Sequence, residues 1–223
     1  MKSSSCLLFI ITTLFSINTY ASSVDRLERK YGIEISFDAR QASALLSTPT
    51  ESATQAQRDI MLPLLERFLK CYKPRFLKQN LRKIFMVGVL SLDGVSVGGS
   101  YSPYHKIIVL GAWHELTYFA HHEFSSLLMR VLPLDRQAWY RYNGAPYTNW
   151  TDFRKMKKNH RLRQLGFYYD YSQVSFEEDF NVLAGMALAK PHLTAEAIKP
   201  YSRLQGKLAI VKRFYKNIFT CSL

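Results

Sequence analysis

The alternation of apolar and polar positions divides the chain into a strand-bearing first half and a helical second half. Residues 23–31 suit a short helix stopped by Gly32. Residues 33–37 then alternate at period 2, the pattern of a half-buried strand. Ser, Thr and Ala dominate residues 43–54, which read as an exposed connection. Between Gln55 and Leu69 the positions Ile60, Leu64, Leu65 and Phe68 recur at helical spacing. Ile84 to Leu90 is a β-rich apolar run, and residues 106–110 form a second strand ended by Gly111. The turn dipeptides Asp93-Gly94 and Gly98-Gly99 lie between them, so a small antiparallel sheet is expected. Three further helices are predicted over 114–131, 175–189 and 204–217, after or around a Tyr-, Pro- and Gly-rich stretch from 133 to 151. Sheet first and helices after it give an α+β class.

The first residues depart from this pattern. Lys2, an apolar stretch from Cys6 to Ile17 and a small-residue ending at Ala21 have the three regions of a secretory signal peptide. The stretch is shorter than the ~20 apolar residues a bilayer span needs, and no later stretch approaches that length. The expectation is therefore a signal peptide over 1–21, cleaved near Ala21, and a single domain over 22–223 that is periplasmic or extracellular. Cys71 and Cys221 then remain, either as one long-loop disulfide or as two thiols. No Cys-x-x-Cys pair offers a cysteine zinc site, and no Gly-x-Gly-x-x-Gly or P-loop pattern supports nucleotide binding. At 48% hydrophobic and 14% aromatic residues the chain can bury a core, which excludes disorder and collagen-like assembly.

Charge adds a question about partners. Lys and Arg number 30 against 17 Asp and Glu, a formal +13; the leader holds one lysine and no acid, so +12 stays with the rest. The bases cluster in 66–83, 154–163 and 199–216; the densest run, 154–163, has no interleaved aromatic side chains and no nucleic-acid motif accompanies it, so nucleic acid is not the expected partner. A solvated basic face, or electrostatic contact with an anionic envelope surface, accounts for them.

The chemistry concentrates between His114 and Val131. At 100° per residue Leu116, Ala120, Leu127 and Val131 share one stripe, and Glu123 falls in its middle. A carboxylate there must be paired, protonated or facing a cavity. His122 and Ser126, four apart, stack beside it, while His121 points the opposite way. A His followed by an apolar-face Glu is the first half of a zinc-protease helix, where the His binds metal and the Glu polarises water. Ser126 stands where such a helix carries its second His, and a hydroxyl is a poor zinc ligand. His121, His114 and downstream carboxylates are left as replacements. Downstream, Glu177, Glu178 and Asp179 follow Ser175. They read either as metal ligands or as a capping box with acids favouring the helix dipole. Tyr169, in a cluster with Tyr168 and Tyr171, could place a phenol near the cleft as an oxyanion donor or form the edge of the core.

Five segments occur in an order that resembles one family: the strand entry at Tyr31, Gly32 and Ile33; the Gly98-Gly99-Ser100 turn; the strand 106–111; the His122-Glu123-Phe124 helix; and the Glu178-Asp179-Phe180 helix. The chain resembles the zinc-binding metallopeptidases of the bacterial envelope, gluzincin-like, with a degenerate His-Glu-x-x-His motif. The resemblance implies a zincin-like fold, a small antiparallel sheet packed against an active-site helix with a mostly helical C-terminal half. It implies zinc on His122 and on Glu178 or Glu177, with His121 a further candidate. Glu123 would be the catalytic general base, Ser126 and Tyr169 would stand around the metal ligands, and strand 106–110 would be the edge that binds a peptide or protein substrate. Two functions follow from it: peptide-bond hydrolysis by a metal-activated water, or an inactive metallopeptidase-fold protein acting as an envelope binding module. Ser126 favours the second.

Overall fold

A computed structural model describes residues 23–148 and 160–223. The expected leader over 1–21, and most of the basic run 154–163, lie outside the described residues.

Helix α1 (residues 23–31) ends as its sequence predicts, at Gly32, whose φ of +66° suits glycine. Strand β1 (Glu34–Ser36) follows, and then α2 (Ala39–Leu46), whose last four residues occupy the start of the stretch 43–54 expected as an exposed connection. Asp38 starts that helix by accepting a hydrogen bond from Gln41 N, and the small Ala39 and Ala42 bury against the sheet. After β2 (Thr50–Glu51), helix α3 (Gln55–Leu69) forms over the predicted residues, opened by a Thr54–Gln57 capping box. Its buried face is set by Met61, Leu62, Leu65, Phe68 and Leu69, while Ile60 stands 62% exposed, contrary to expectation. Helix α4 (Pro74–Asn80) leads into β3 (Lys83–Met86), β4 (Val89–Leu92), β5 (Val95–Ser96), β6 (Gly99–Ser102) and β7 (Ile107–Leu110).

The main sheet has the order β1-β3-β7-β6. Strands β1, β3 and β7 run parallel, and only β6 is antiparallel, to β7, so the expected antiparallel pairing of the two apolar strands is corrected. The turn signal at Asp93-Gly94 is a genuine hairpin, with positive φ at both residues (50° and 76°). It joins β4 to β5 in a separate sheet of order β2-β4-β5, and leaves a connection between β3 and β7 long enough for a parallel crossing. Both β3 and β7 are buried throughout, as apolar runs in parallel strands tend to be, with Lys83 at the start of β3 buried beside them. Alternate residues serve two cores. Ile84, Met86, Ile108 and Leu110 face the large helical core, while Phe85, Ile107 and Val109 face α2.

On the helical side, α5 (Leu116–Leu128) lies between the sheet and α7 (Phe176–Ala189), with α6 (Arg136–Tyr140), α8 (Pro191–Ile198) and α9 (Ser202–Tyr215) around them. The α+β class with a mostly helical C-terminal half is therefore observed. Helix α5 stops three residues before its predicted end, and Val131 is 55% exposed rather than part of the buried stripe. Cys71, just after α3, forms a disulfide with Cys221. The tail is held there as well by Thr220 N, which donates to Cys71 O at 2.9 Å, and by a Tyr72–Phe219 bridge. Among the described residues no helix is long and apolar enough to cross a membrane.

Candidate active-site cleft

Helix α5 is buried almost all round, with ten of its 13 residues out of solvent, so its polar side chains must find partners inside the protein. His122 turns toward the first turn of α7, and its Nε2 lies 3.1 Å from Glu178 Oε2. Neither group is hydrogen-bonded to completion. His122 Nδ1 has no partner, and Glu178 Oε2 has no well-aligned hydrogen bond despite the close approach. Burial works to lower the His122 pKa, but Glu178, Glu123 and Glu177 outweigh it and hold the imidazole above its ordinary value.

Glu123, 7% exposed, keeps the position its sequence predicts, with its carboxylate in an apolar wall. Burial pushes its pKa up to about 7, against the pull of His122. The backbone of β6 passes directly over it. A Cβ added at Gly99 would lie 2.7 Å from Glu123 Cγ and Oε1, so only glycine permits this approach.

Three consecutive acids of α7 diverge as 100° per residue requires. Glu177 is engaged through both oxygens: Tyr101 of β6 donates to Oε1, and Arg130 donates to Oε2 at 2.9 Å. Glu178 faces His122. Asp179 points into the core, where Trp139 Nε1, Tyr147 OH and Lys207 Nζ all donate to its Oδ2 (2.8, 2.9 and 2.6 Å). The Ser175 cap also forms, accepting from Glu178 N at 3.2 Å, while the Glu178 side chain faces His122.

Several expected roles do not survive the geometry. His121 faces away from the cleft, with Nδ1 2.8 Å from Tyr72 OH, and burial drives its pKa down to about 3. It lines a separate pocket with His114 and Lys190, on the other side of α5. Glu177 is committed to Tyr101 and Arg130. Tyr169 is 44% exposed and packs edge-on against Tyr168; it is Tyr171 that stacks over the His122 imidazole, with ring centroids 6.2 Å apart and planes 22° from parallel, and hydrogen-bonds Glu178. Strand 106–110 is interior to the sheet, and the edge strand beside Glu123 is β6. Ser126 lies in the expected place, where Asn181 Nδ2 donates to its Oγ at 2.6 Å. Asn181 was not singled out from the sequence, although an amide three residues after Glu178 within the apolar run of α7 carries the same signal as Glu123: a polar group where only apolar ones belong.

The donor set can be tested against zinc. Two donors on a tetrahedral ion at ~2.0–2.1 Å stand roughly 3.3 Å apart, and the His122–Glu178 separation of 3.1 Å suits that pair. A third donor is missing: no group of three or more His, Cys, Asp or Glu side chains able to hold a metal forms among the described residues. At the position of the second motif histidine stands a hydroxyl already bonded to Asn181.

Residues 105–223 match the family described as "Putative zinc-binding metallo-peptidase". The chain belongs to this family. The match contains His122, Glu123 and Glu178, and zinc is the metal that the family's description names. The fold of this metallopeptidase-family chain is similar to the crystal structure of a "putative zinc-binding metallo-peptidase" from Bacteroides caccae ATCC 43185, with a TM-score of 0.61 over 89% of this chain and 86% of that one. At 17% identity the likeness is one of fold. No curated protein matches the sequence.

Proposed function

We propose that this metallopeptidase-family protein binds peptide in the β6–α5 cleft, and that its zinc centre is reduced to two protein donors, His122 and Glu178. The hydrogen bond from Asn181 Nδ2 to Ser126 Oγ carries this reading, because it fills with a closed protein contact the place where a further metal ligand would stand. The cleft supports peptide binding independently of metal. In the β6–β7 ladder Gly98 O accepts from Gly111 N, so the register makes residues 98, 100 and 102 the hydrogen-bonded positions. The backbone N–H and C=O groups of Gly99 and Tyr101 therefore point outward along the edge, free to pair with an extended chain.

A second reading, retained hydrolysis, is favoured by one observation. Glu123 is buried at the cleft wall with a pKa near 7, the range that suits a general base. In that case zinc would supply an activated water; Glu123 would accept its proton, His122 and Glu178 would hold the metal, and Tyr171 would fix the orientation of both.

The protein is further proposed to be exported and to work in the periplasm or outside the cell. The apolar leader motif over 1–21 and the Cys71–Cys221 disulfide support an oxidising compartment. Incubating zinc-supplied protein with a mixed peptide pool separates the two functional readings. Saturable binding with every peptide recovered intact is expected, and turnover of any peptide that is lost in Glu123→Gln would overturn the proposal in favour of hydrolysis.

A further inference from the structure

An apolar pocket of about 270 Å³ opens beside His122 and Glu123. Its walls come from the β4–β5 hairpin (Leu92, Val95, Val97) and from Trp113, Tyr118 and Phe119 at the start of α5. These walls are mostly apolar and carry no charge; the ionisable acid and imidazole of the pocket are the two site residues, His122 and Glu123, and its other polar side-chain groups are the Trp113 indole N–H and the hydroxyls of Ser96, Tyr118 and Tyr171. Its shape depends on Gly98. A Cβ there would fall 2.2 Å from Phe119 Cε2 and Cζ, so the ring lies against bare backbone, and any larger residue would displace Phe119 from the pocket wall it forms. The same two-glycine step brings the open edge of β6 alongside the pocket mouth.

We infer that this pocket receives one large apolar side chain, aromatic or branched aliphatic, of a peptide lying extended along β6, and that the pocket selects which peptides the cleft accepts. The inference rests on the peptide-cleft reading above and narrows it to a substrate class. Two features commit the occupant to a peptide side chain rather than a free apolar molecule. The pocket adjoins an unpaired strand edge, whose outward groups at Gly99 and Tyr101 would hold a backbone, and side chains on a paired strand leave its plane alternately, so one of them enters a pocket lying under the edge. An acidic side chain is disfavoured there twice, by the apolar walls and by the Glu123 carboxylate that lines the pocket.

The test uses the disulfide-intact protein and capped pentapeptides with alanine at every position except the central one, which is Phe, Leu, Gly or Asp, with binding followed by calorimetry in the absence of added metal. Phe and Leu peptides are expected to bind at least ~10-fold more tightly than Gly, the scale on which apolar pockets discriminate, and Asp more weakly than Gly. Val95→Asp, on a hairpin whose side chain is only half-buried, is expected to erase that preference without changing the thermal midpoint. Gly98→Ala, which displaces the Phe119 wall, is expected to erase the preference as well, with a lowered thermal midpoint. Equal affinity for all four peptides would overturn the pocket assignment while leaving the cleft intact. Binding by none of them would overturn the peptide-cleft reading itself, and the pocket assignment with it.

Discussion

Replacing Lys207 by methionine tests the packing that aims α7 at the site. Lys207 and Asp179 are both sealed from solvent, 0% and 1% exposed, with Nζ 2.6 Å from Oδ2 and 2.7 Å from the Gly166 carbonyl. At an effective dielectric constant of ~20 the gross attraction at this distance is about 6 kcal/mol, most of it offset by desolvating both ions. Removing one partner leaves the other charged and buried, which costs about 3–5 kcal/mol. In a domain of this size that lowers the thermal midpoint by roughly 6–20 °C. The loss has a direction in pH. Burial already holds the Asp179 pKa above its ordinary value, and without Lys207 it rises further. An acid whose folded pKa is raised favours the folded state while protonated, so the defect should be mild near the unfolded carboxylate pKa and grow as pH rises above it. Asp179→Asn in the Lys207→Met background keeps an acceptor for Trp139 and Tyr147 and removes the stranded charge, so it should recover at least half of the loss. Urea denaturation at pH 5 and pH 8 measures all of this. A Lys207→Met cost under ~1 kcal/mol at pH 8, or one that Asp179→Asn does not relieve, would refute the reasoning.

Three other predictions follow from the same structure. In metal-free protein kept in chelator, Glu123→Gln should stabilise more at pH 8 than at pH 5: the wild-type pKa of about 7 lies above its unfolded value, so wild-type stability falls as pH rises between the two, by up to about 3 kcal/mol. Paired denaturation curves at the two pH values check it, and a flat difference would contradict the burial of Glu123. Cys221→Ser releases a loop of sequence separation 150, and should cost about 5 kcal/mol by chain entropy with no change in peptide affinity, since the bond lies across α5 from the cleft. Gly99→Ala should weaken peptide binding at least ~10-fold by pushing the edge strand off Glu123, about 1.4 kcal/mol in calorimetry, while thermal stability changes less than in Lys207→Met.

The sequence and the structure agree where a side chain's type contradicts its surroundings. Glu123 stood out because a carboxylate on an apolar stripe needs a reason, and it lies buried at the cleft. The α5 and α7 helices were legible for the same periodic reason, and Gly32 marked the end of α1 through local backbone chemistry. Strand direction was not legible, because an apolar run such as 84–90 reads identically in either orientation and only the excursion through β4 and β5 decides it. The fates of Glu177, Glu178 and Asp179 could not be separated either, since three acids in one helical turn differ only in azimuth, and azimuth is set by what packs against α7. Tyr171 rather than Tyr169 reaches His122 because a 3-10 turn at Asp170–Gln173 intervenes, which three tyrosines in four residues do not announce. Gly98 and Gly99 looked like a turn, and their closeness to Phe119 and Glu123 depends on contacts distant in sequence.

The most direct test of the two-donor centre is zinc affinity, measured by competition with a chromophoric chelator, for the wild type and for Ser126→His combined with Asn181→Ala to make room for the ring. The wild type is predicted to hold zinc weakly through His122 and Glu178, and the double variant to bind it at least ~100-fold more tightly, about 2.7 kcal/mol. Stoichiometric zinc in the wild type, bound as tightly as in the double variant, would contradict the account and restore a complete metallopeptidase centre.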